Sequence, residues 1–444
     1  MRKMKDSGIE WIGEIPESWS VGKTLYGLAM PITDGPHETP ELYEEGIPFV
    51  SAEAVSNGNG KIDFEHIRGY ISQEYYEECC KKYTPAINDI YMIKSGATTG
   101  KIALVDTDVI FTIWSPLAVF RCNKNKCYYK YLYYVLQSDC YQKQIENGWS
   151  FGTQQNIGMR TLEKLLICYP EIQEQARIAD YLDKKCAEID AIIAAKEKTN
   201  ELLKERRQSI IYEAVTKGLD PTVPMKDSGI EWIGEIPTHW NTMRLRSKFS
   251  FGKGLPITKA DLRDSGVSVV SYGQIHSKHN IGTTIKTELI RYVDNVYLDT
   301  NASSLVNNGD FIFADTSEDL SGCGNCVYVD TNYPLFAGYH TMILRPIDNT
   351  SSKYYSYLFA TDAWRSQIRA QASGVKLFSI TQKMLRDALL IEPSEEEKAS
   401  IVLFLDDMCS TTNTIIASNE ATIEKLKEYR QSVIYEAVTG KVEV

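Results

Sequence analysis

The sequence predicts a mixed α/β fold built as a tandem repeat, two globular blocks each followed by a long helix, with the helices packed on one another. Three observations predict it. Met4–Trp19 (MKDSGIEWIGEIPESW) recurs as Met225–Trp240 (MKDSGIEWIGEIPTHW), with 14 of 16 residues identical. Arg207–Thr216 (RQSIIYEAVT) recurs as Arg430–Thr439 (RQSVIYEAVT), with 9 of 10 identical. The blocks between these nearly matched segments barely match at all.

Residues 1–169 form the first block with its signature, 170–219 the first helical region, 220–392 the second block and 393–444 the second helical region. Each signature sets large apolar groups (Ile9, Trp11, Ile12, Ile15 and Trp19 in the first) in a chain broken by Gly and Pro. That pattern suits a peg seated in a groove. If a pseudo-twofold relates the halves, the first signature docks at the end of the second helix and the chain is nearly circular. Within the blocks, β-like runs at 47–50, 90–93, 101–105 and 110–113 have counterparts at 267–270, 311–313, 326–329 and 335–337. One Tyr-rich helix follows in each, at 128–147 and 354–373. Aligning these helices at Gly148 and Gly374 places a three-residue length difference in the loop after the helix.

The helical regions contain no Gly or Pro over 171–216 and 394–439. Apolar residues recur near every 3.5 positions: Ile178, Leu182, Ile189, Ile193, Leu203, Ile210 and Ala214, then Ile401, Leu405, Ile416, Ile423, Leu426, Val433 and Ala437. Ser394 and Glu397 make a capping box, and Gly218 followed by Pro221 stops the first helix. At 1.5 Å per residue each helix is roughly 65–70 Å long and cannot bury such a stripe alone, so the two pack together or, in the alternative reading, each packs on its own block. Lys196, Asn200 and Asn419 interrupt the seam, at a cost in stability that helps to fix register.

Composition limits the function. Net charge is −11, which does not point to a polyanion as partner. Much of the acidity lies in the helical regions, whereas block 20–169 carries −3 and block 241–392 carries +2. The longest aliphatic runs fall far short of the roughly 20 residues of a membrane span. Ten irregularly spaced cysteines point to reduced thiols and a cytoplasmic address.

Catalytic patterns are missing. The segment 96–102 (GATTGKI) is one residue short of a P-loop and ends in Ile. Cys323 and Cys326 form a single CxxC without a partner pair, and His276 with His279 suits a polar loop better than a metal site. No catalytic centre, cofactor site or metal site can be assembled. What remains is a binding protein whose divergent loops carry amides, hydroxyls and amines. The first block offers Lys94, Ser95, Thr98, Thr99 and Lys101, then Thr153, Gln154, Gln155 and Asn156. The second offers Gln274, His276, Lys278 and His279, then Lys376, Ser379 and Thr381. Lys and backbone amides suit phosphates, and Gln and Asn suit adenine edges.

The doubled signature, the Thr216–Leu219 segment before its second copy, the RQSxIYEAVT helix end and the stretch 170–182 (PEIQEQARIADYL) resemble the specificity subunits of Type I restriction–modification systems. Pro393–Leu405 (PSEEEKASIVLFL) is a weaker copy lacking the Glu-Gln pair. The resemblance covers the whole chain. It implies two target-recognition domains, each reading one half of a bipartite double-stranded DNA sequence, and an antiparallel coiled coil that spaces them. It also implies docking of modification subunits, two by symmetry, with restriction subunits joining the complex. S-adenosylmethionine, ATP and Mg then belong to those partners, and this chain is not an enzyme. Two other readings stand beside it: a coiled-coil scaffold with degenerate domains that no longer read DNA, and an enzyme with an unrecognised motif.

Overall fold

The computed structural model describes residues 2–149, 155–348, 352–374 and 376–444. The chain forms two compact units, Met1–Glu197 with Glu420–Val444, and Lys198–Asn419. The long helices span Ile172–Lys217 and Glu395–Val438, so each unit holds one part of each. In the second unit Asn419 Nδ2 donates to Asn200 Oδ1 at 2.8 Å and Arg207 Nη1 to Asn413 Oδ1 at 2.6 Å. Partner numbers fall as residue numbers rise, so the helices run antiparallel there. In the first unit Arg430 Nε lies 3.0 Å from Asp190 Oδ1. The capping box forms as expected: Glu397 N donates to Ser394 Oγ at 3.2 Å, and Ser394 N to Glu397 Oε2 at 3.1 Å.

The signatures fold as small hairpins, Met4–Asp6 on Glu14–Pro16 and Met225–Asp227 on Glu235–Pro237. Ile12, Ile15 and Trp19 are buried against Val433, Ile434, Ala437 and Val438. The first signature therefore docks at the end of the second long helix, where Tyr435 OH donates to Ile12 O at 3.1 Å. Ile233, Ile236 and Trp240 pack on Ile211, Ala214 and Val215 in the same way, and Tyr212 OH donates to Ile233 O at 3.1 Å. Gly440 must be glycine: its φ is +72°, and a Cβ there would stand 2.5 Å from Pro16 and 3.0 Å from Trp19. Arg2 Nε lies 3.7 Å from Glu443 Oε1, which brings the two ends of the chain together.

Each block is built on a four-stranded antiparallel sheet. In the first unit the order is Thr33–Asp34, Leu117–Phe120, Ile90–Ile93, Ile102–Leu104. In the second it is Phe249–Lys253, Thr341–Pro346, Phe311–Ala314, Cys326–Tyr328. A further sheet contains one parallel pair, Ile47–Val50 with Thr112–Ile113 and Val267–Val270 with Leu335–Ala337. All eight expected β runs contain a strand.

Two expectations are corrected. Each Tyr-rich helix is two helices, Tyr129–Gln137 then Asp139–Asn147, and Lys353–Ala360 then Asp362–Arg369. Ser138 and Thr361 take extended backbone at the break. Thr361 Oγ1 accepts from Trp364 N at 3.2 Å, and so caps the following helix. The three-residue difference also lies elsewhere. Ile90 faces Leu104 and Phe311 faces Tyr328, so the loop between those strands is three residues longer in the second unit. After the helices the spacing is equal. Gln144 brackets Leu166, accepting from its N at 2.8 Å and donating to its O at 2.9 Å. Gln367 does the same to Leu389 at 2.7 and 3.1 Å. Gly148 and Gly374 are therefore not equivalent, and aligning them moved the gap out of a strand loop.

Candidate nucleic-acid interface

In the first unit the sheet projects the loop Lys94–Lys101 from the hairpin of Ile90–Ile93 and the edge strand Ile102–Leu104. Turn bonds close the loop on itself: Thr99 Oγ1 donates to Gly96 O at 2.7 Å and Lys101 N to Thr98 O at 3.2 Å. It then joins the second predicted segment. Gly96 N donates to Gln155 O and Ile157 N to Lys94 O, both at 2.9 Å, and Ser95 bridges to Asn156. The two sequence-predicted segments thus form one surface, with Lys101, Gln155 and Asn156 exposed and Ser95, Thr98 and Thr99 half-buried. Thr153 and Gln154 lie outside the described residues.

Lys94 has a different position from its neighbours. Its ammonium lies 3.3 Å from Asp34 Oδ2, and Lys82 Nζ is 2.5 Å from Asp34 Oδ1. Asp34 is buried, which by itself pushes its carboxyl up, but Lys82 and Lys94 together hold it below the usual carboxylate value. The Lys94 charge is therefore committed to the root of the loop, whereas Lys101 is exposed and donates to the carbonyl of Ser56 at 3.4 Å.

In the second unit the equivalent loop runs from Asp315 to Asn325. Ile380 N donates to Asp315 O at 2.8 Å, as Ile157 does to Lys94. Thr316–Ser317 pairs with Phe378–Ser379, which brings Ser379 beside the loop. His276 joins it from the other side, with Nε2 2.9 Å from Thr316 O and Nδ1 3.0 Å from Asn325 Nδ2. Gln274 Oε1 accepts from Ser271 N at 2.9 Å and so caps its own short helix. Thr381 Oγ1 accepts from Met384 N at 3.3 Å. Lys278, His279 and Lys376 are exposed.

Sequence reasoning missed the 315–325 loop and the aromatic groups around both loops. Arg68 stacks over Trp114 at 4.7 Å and pairs with Glu53 at 2.7 Å. Tyr272 makes edge contacts with His276, Tyr339 and His340. His340 takes φ +54°, uncommon for a non-glycine residue. A signal for the loop is present in the sequence, because the β-like runs on either side of it have counterparts in both blocks whereas the segments between them differ in length. Among the described residues no cluster of three His, Cys, Asp or Glu could hold a metal ion, and no helix is long and apolar enough to cross a membrane.

These features agree with comparisons to known proteins. A family model described as "Type I restriction modification DNA specificity domain" matches residues 36–204 and 237–425. The MjaVIII specificity subunit of a Type I restriction enzyme from Methanocaldococcus jannaschii is 20% identical over 389 residues, covering 86% of each chain. The StySPI specificity subunit from Salmonella potsdam is 22% identical over 444 residues, covering 97% of this chain and 90% of that one. A chain from a structure concerning complex assembly and conformational transition of the type I R-M system superposes with a TM-score of 0.71. It is 15% identical and covers 96% of this chain and 99% of its own.

Proposed function

The chain belongs to the family of Type I restriction modification DNA specificity domains, and on that premise we propose that it is the non-catalytic, sequence-reading subunit of a methyltransferase and nuclease complex. Each unit reads one half of a bipartite double-stranded DNA target through its loop face. In the first unit Ser95, Thr98, Thr99, Lys101 and the segment 153–156 supply the contacts. In the second they come from the 315–325 loop with Lys278, His279, Lys376 and Ser379. The helices set the distance between half-sites and dock two modification subunits, with restriction subunits joining through the complex. S-adenosylmethionine, ATP and Mg act on those partners, in the cytoplasm. Two readers on one DNA face suit half-sites about one helical turn apart, roughly 34–36 Å. With a net charge of −11, many phosphate contacts fall to the partners.

The observation that carries this is internal. The two units share signature docking and helix anchoring, and they differ in length and charge at the loop that joins a central strand to the edge strand of each four-stranded sheet. A common frame with divergent loops is what a pair of readers for unlike half-sites requires. The test is modified-base sequencing of DNA from cells expressing this chain with a cognate modification subunit, against cells lacking this chain. Methyladenine at a split motif with a fixed gap is expected. A stable complex that adds no methylation would leave an assembly scaffold instead.

A further inference from the structure

The two equivalent loops are held by different means. The first is closed by its own turn bonds and by Gln155. The second is three residues longer, and its exposed tip, residues 318–321, stands beyond the strand pairing. Asp319 organises that tip locally, accepting from Ser321 Oγ at 2.6 Å and Gly322 N at 2.7 Å. The base of the loop is tied by His276. Because Thr316 O is a carbonyl and only accepts, Nε2 carries the proton. Nδ1 is then the acceptor for the Asn325 amide. One neutral ring therefore spans Thr316 and Asn325, at either end of the loop, and both of its nitrogens are satisfied. Gly322 packs flat against it: a Cβ there would stand 3.1 Å from His276 Cε1 and Nδ1 and 2.5 Å from Ser317 Oγ.

We propose that His276 is a positioning residue, holding the Thr316–Asn325 loop in the shape that reads the second half-site without touching bases itself. The proposal rests on the function given above. Its carrying geometry is a half-buried imidazole with both nitrogens committed across the loop base, where a base-contacting histidine would keep one free.

The experiment uses the full chain assembled with modification subunits, and competition binding with duplexes bearing single base changes in either half-site. His276→Ala is expected to lower discrimination at the second half-site about tenfold and to leave the first unchanged. His276→Gln, whose amide offers one donor and one acceptor, is expected to restore most of it. Equal loss in both variants would make the ring a direct contact and overturn the proposal. So would unchanged discrimination in His276→Ala, or equal loss at both half-sites. Should His276→Ala fail to assemble, Asn325→Ala, which removes only the donor to Nδ1, carries the same expectation at the second half-site and the same refutation. A wild-type complex that discriminates at neither half-site would instead sink the reading of function.

Discussion

Gln175 and Lys398 occupy the same place near the start of the two long helices, both fully buried, and the two units solve the resulting problem differently. Gln175 is neutral and is satisfied by backbone. It accepts from Tyr128 N at 2.8 Å and donates to Pro170 O at 2.9 Å and Lys126 O at 3.2 Å. Lys398 brings a charge and needs carboxylates. Its ammonium donates to Glu392 at 2.6 Å, Glu395 at 2.9 Å and Tyr355 OH at 3.1 Å. Glu392 also takes Lys248 at 3.0 Å and the Tyr355 hydroxyl. The residues standing in the places of Glu392 and Tyr355 in the first unit are Tyr169 and Leu132, which offer no carboxylate to balance an ammonium. The second helix start, read from sequence as a weakened copy, is thus a complete alternative in which several positions changed together. Around it the anchors are unchanged. Lys130 and Tyr134 hold Asp183 at 2.5 and 2.7 Å, and Lys353 and Tyr357 hold Asp406 at 2.8 and 2.7 Å.

This contrast can be broken. Lys398→Met leaves the half-buried Glu392 with Lys248 as its remaining cation and removes the donor to the Tyr355 hydroxyl, and removing one partner of a buried pair costs up to about 3–5 kcal/mol. Urea unfolding should show that loss in the second unit. Gln175→Leu strands backbone groups without stranding a charge, so its cost should be smaller, about 1–3 kcal/mol. Equal costs in the two variants would show that charge is not what separates the solutions.

The helix seam sharpens the comparison. The Asn200–Asn419 pair, with Asn200 buried and Asn419 half-buried, has Ile423 and Lys196 as its repeat counterparts in the first unit, so the polar pin belongs to the second. Asn200→Leu with Asn419→Leu should raise the unfolding midpoint modestly while loosening register. A fixed-gap motif that becomes variable in modified-base sequencing would register that loosening.

The smallest effect is expected at low pH. Burial pushes the Glu397 carboxyl up, but Trp240, His239 and Ser394 donate to it and hold it down at about 2. Its unfolded value is near 4.5, so its contribution is present above that pH and is lost as pH falls toward 2. Acid unfolding of Glu397→Gln should lack that portion of the wild-type slope between pH 4.5 and 2, and identical slopes would refute the assignment.

By itself the sequence determined the repeat, the long helices, the eight strand-bearing runs and the docking of the first signature onto the second helix. These follow from local periodicity, capping residues and near-identity of segments that must fit the same groove. It also marked Lys101, Gln155, Asn156, Lys278, His279 and Lys376, which are exposed, but not the exposed tip 318–321. Tertiary structure decided what those residues do. Lys94 turns to Asp34 and His276 to Thr316 and Asn325, because partners far apart in sequence meet only when strands register. It also moved the length difference from a helix end to a strand loop, since ladder pairing, not matching glycines, defines equivalence between diverged blocks. Finally it explained Lys398, whose charge is tolerable only beside Glu392 and Tyr355, a set that no single aligned position reveals.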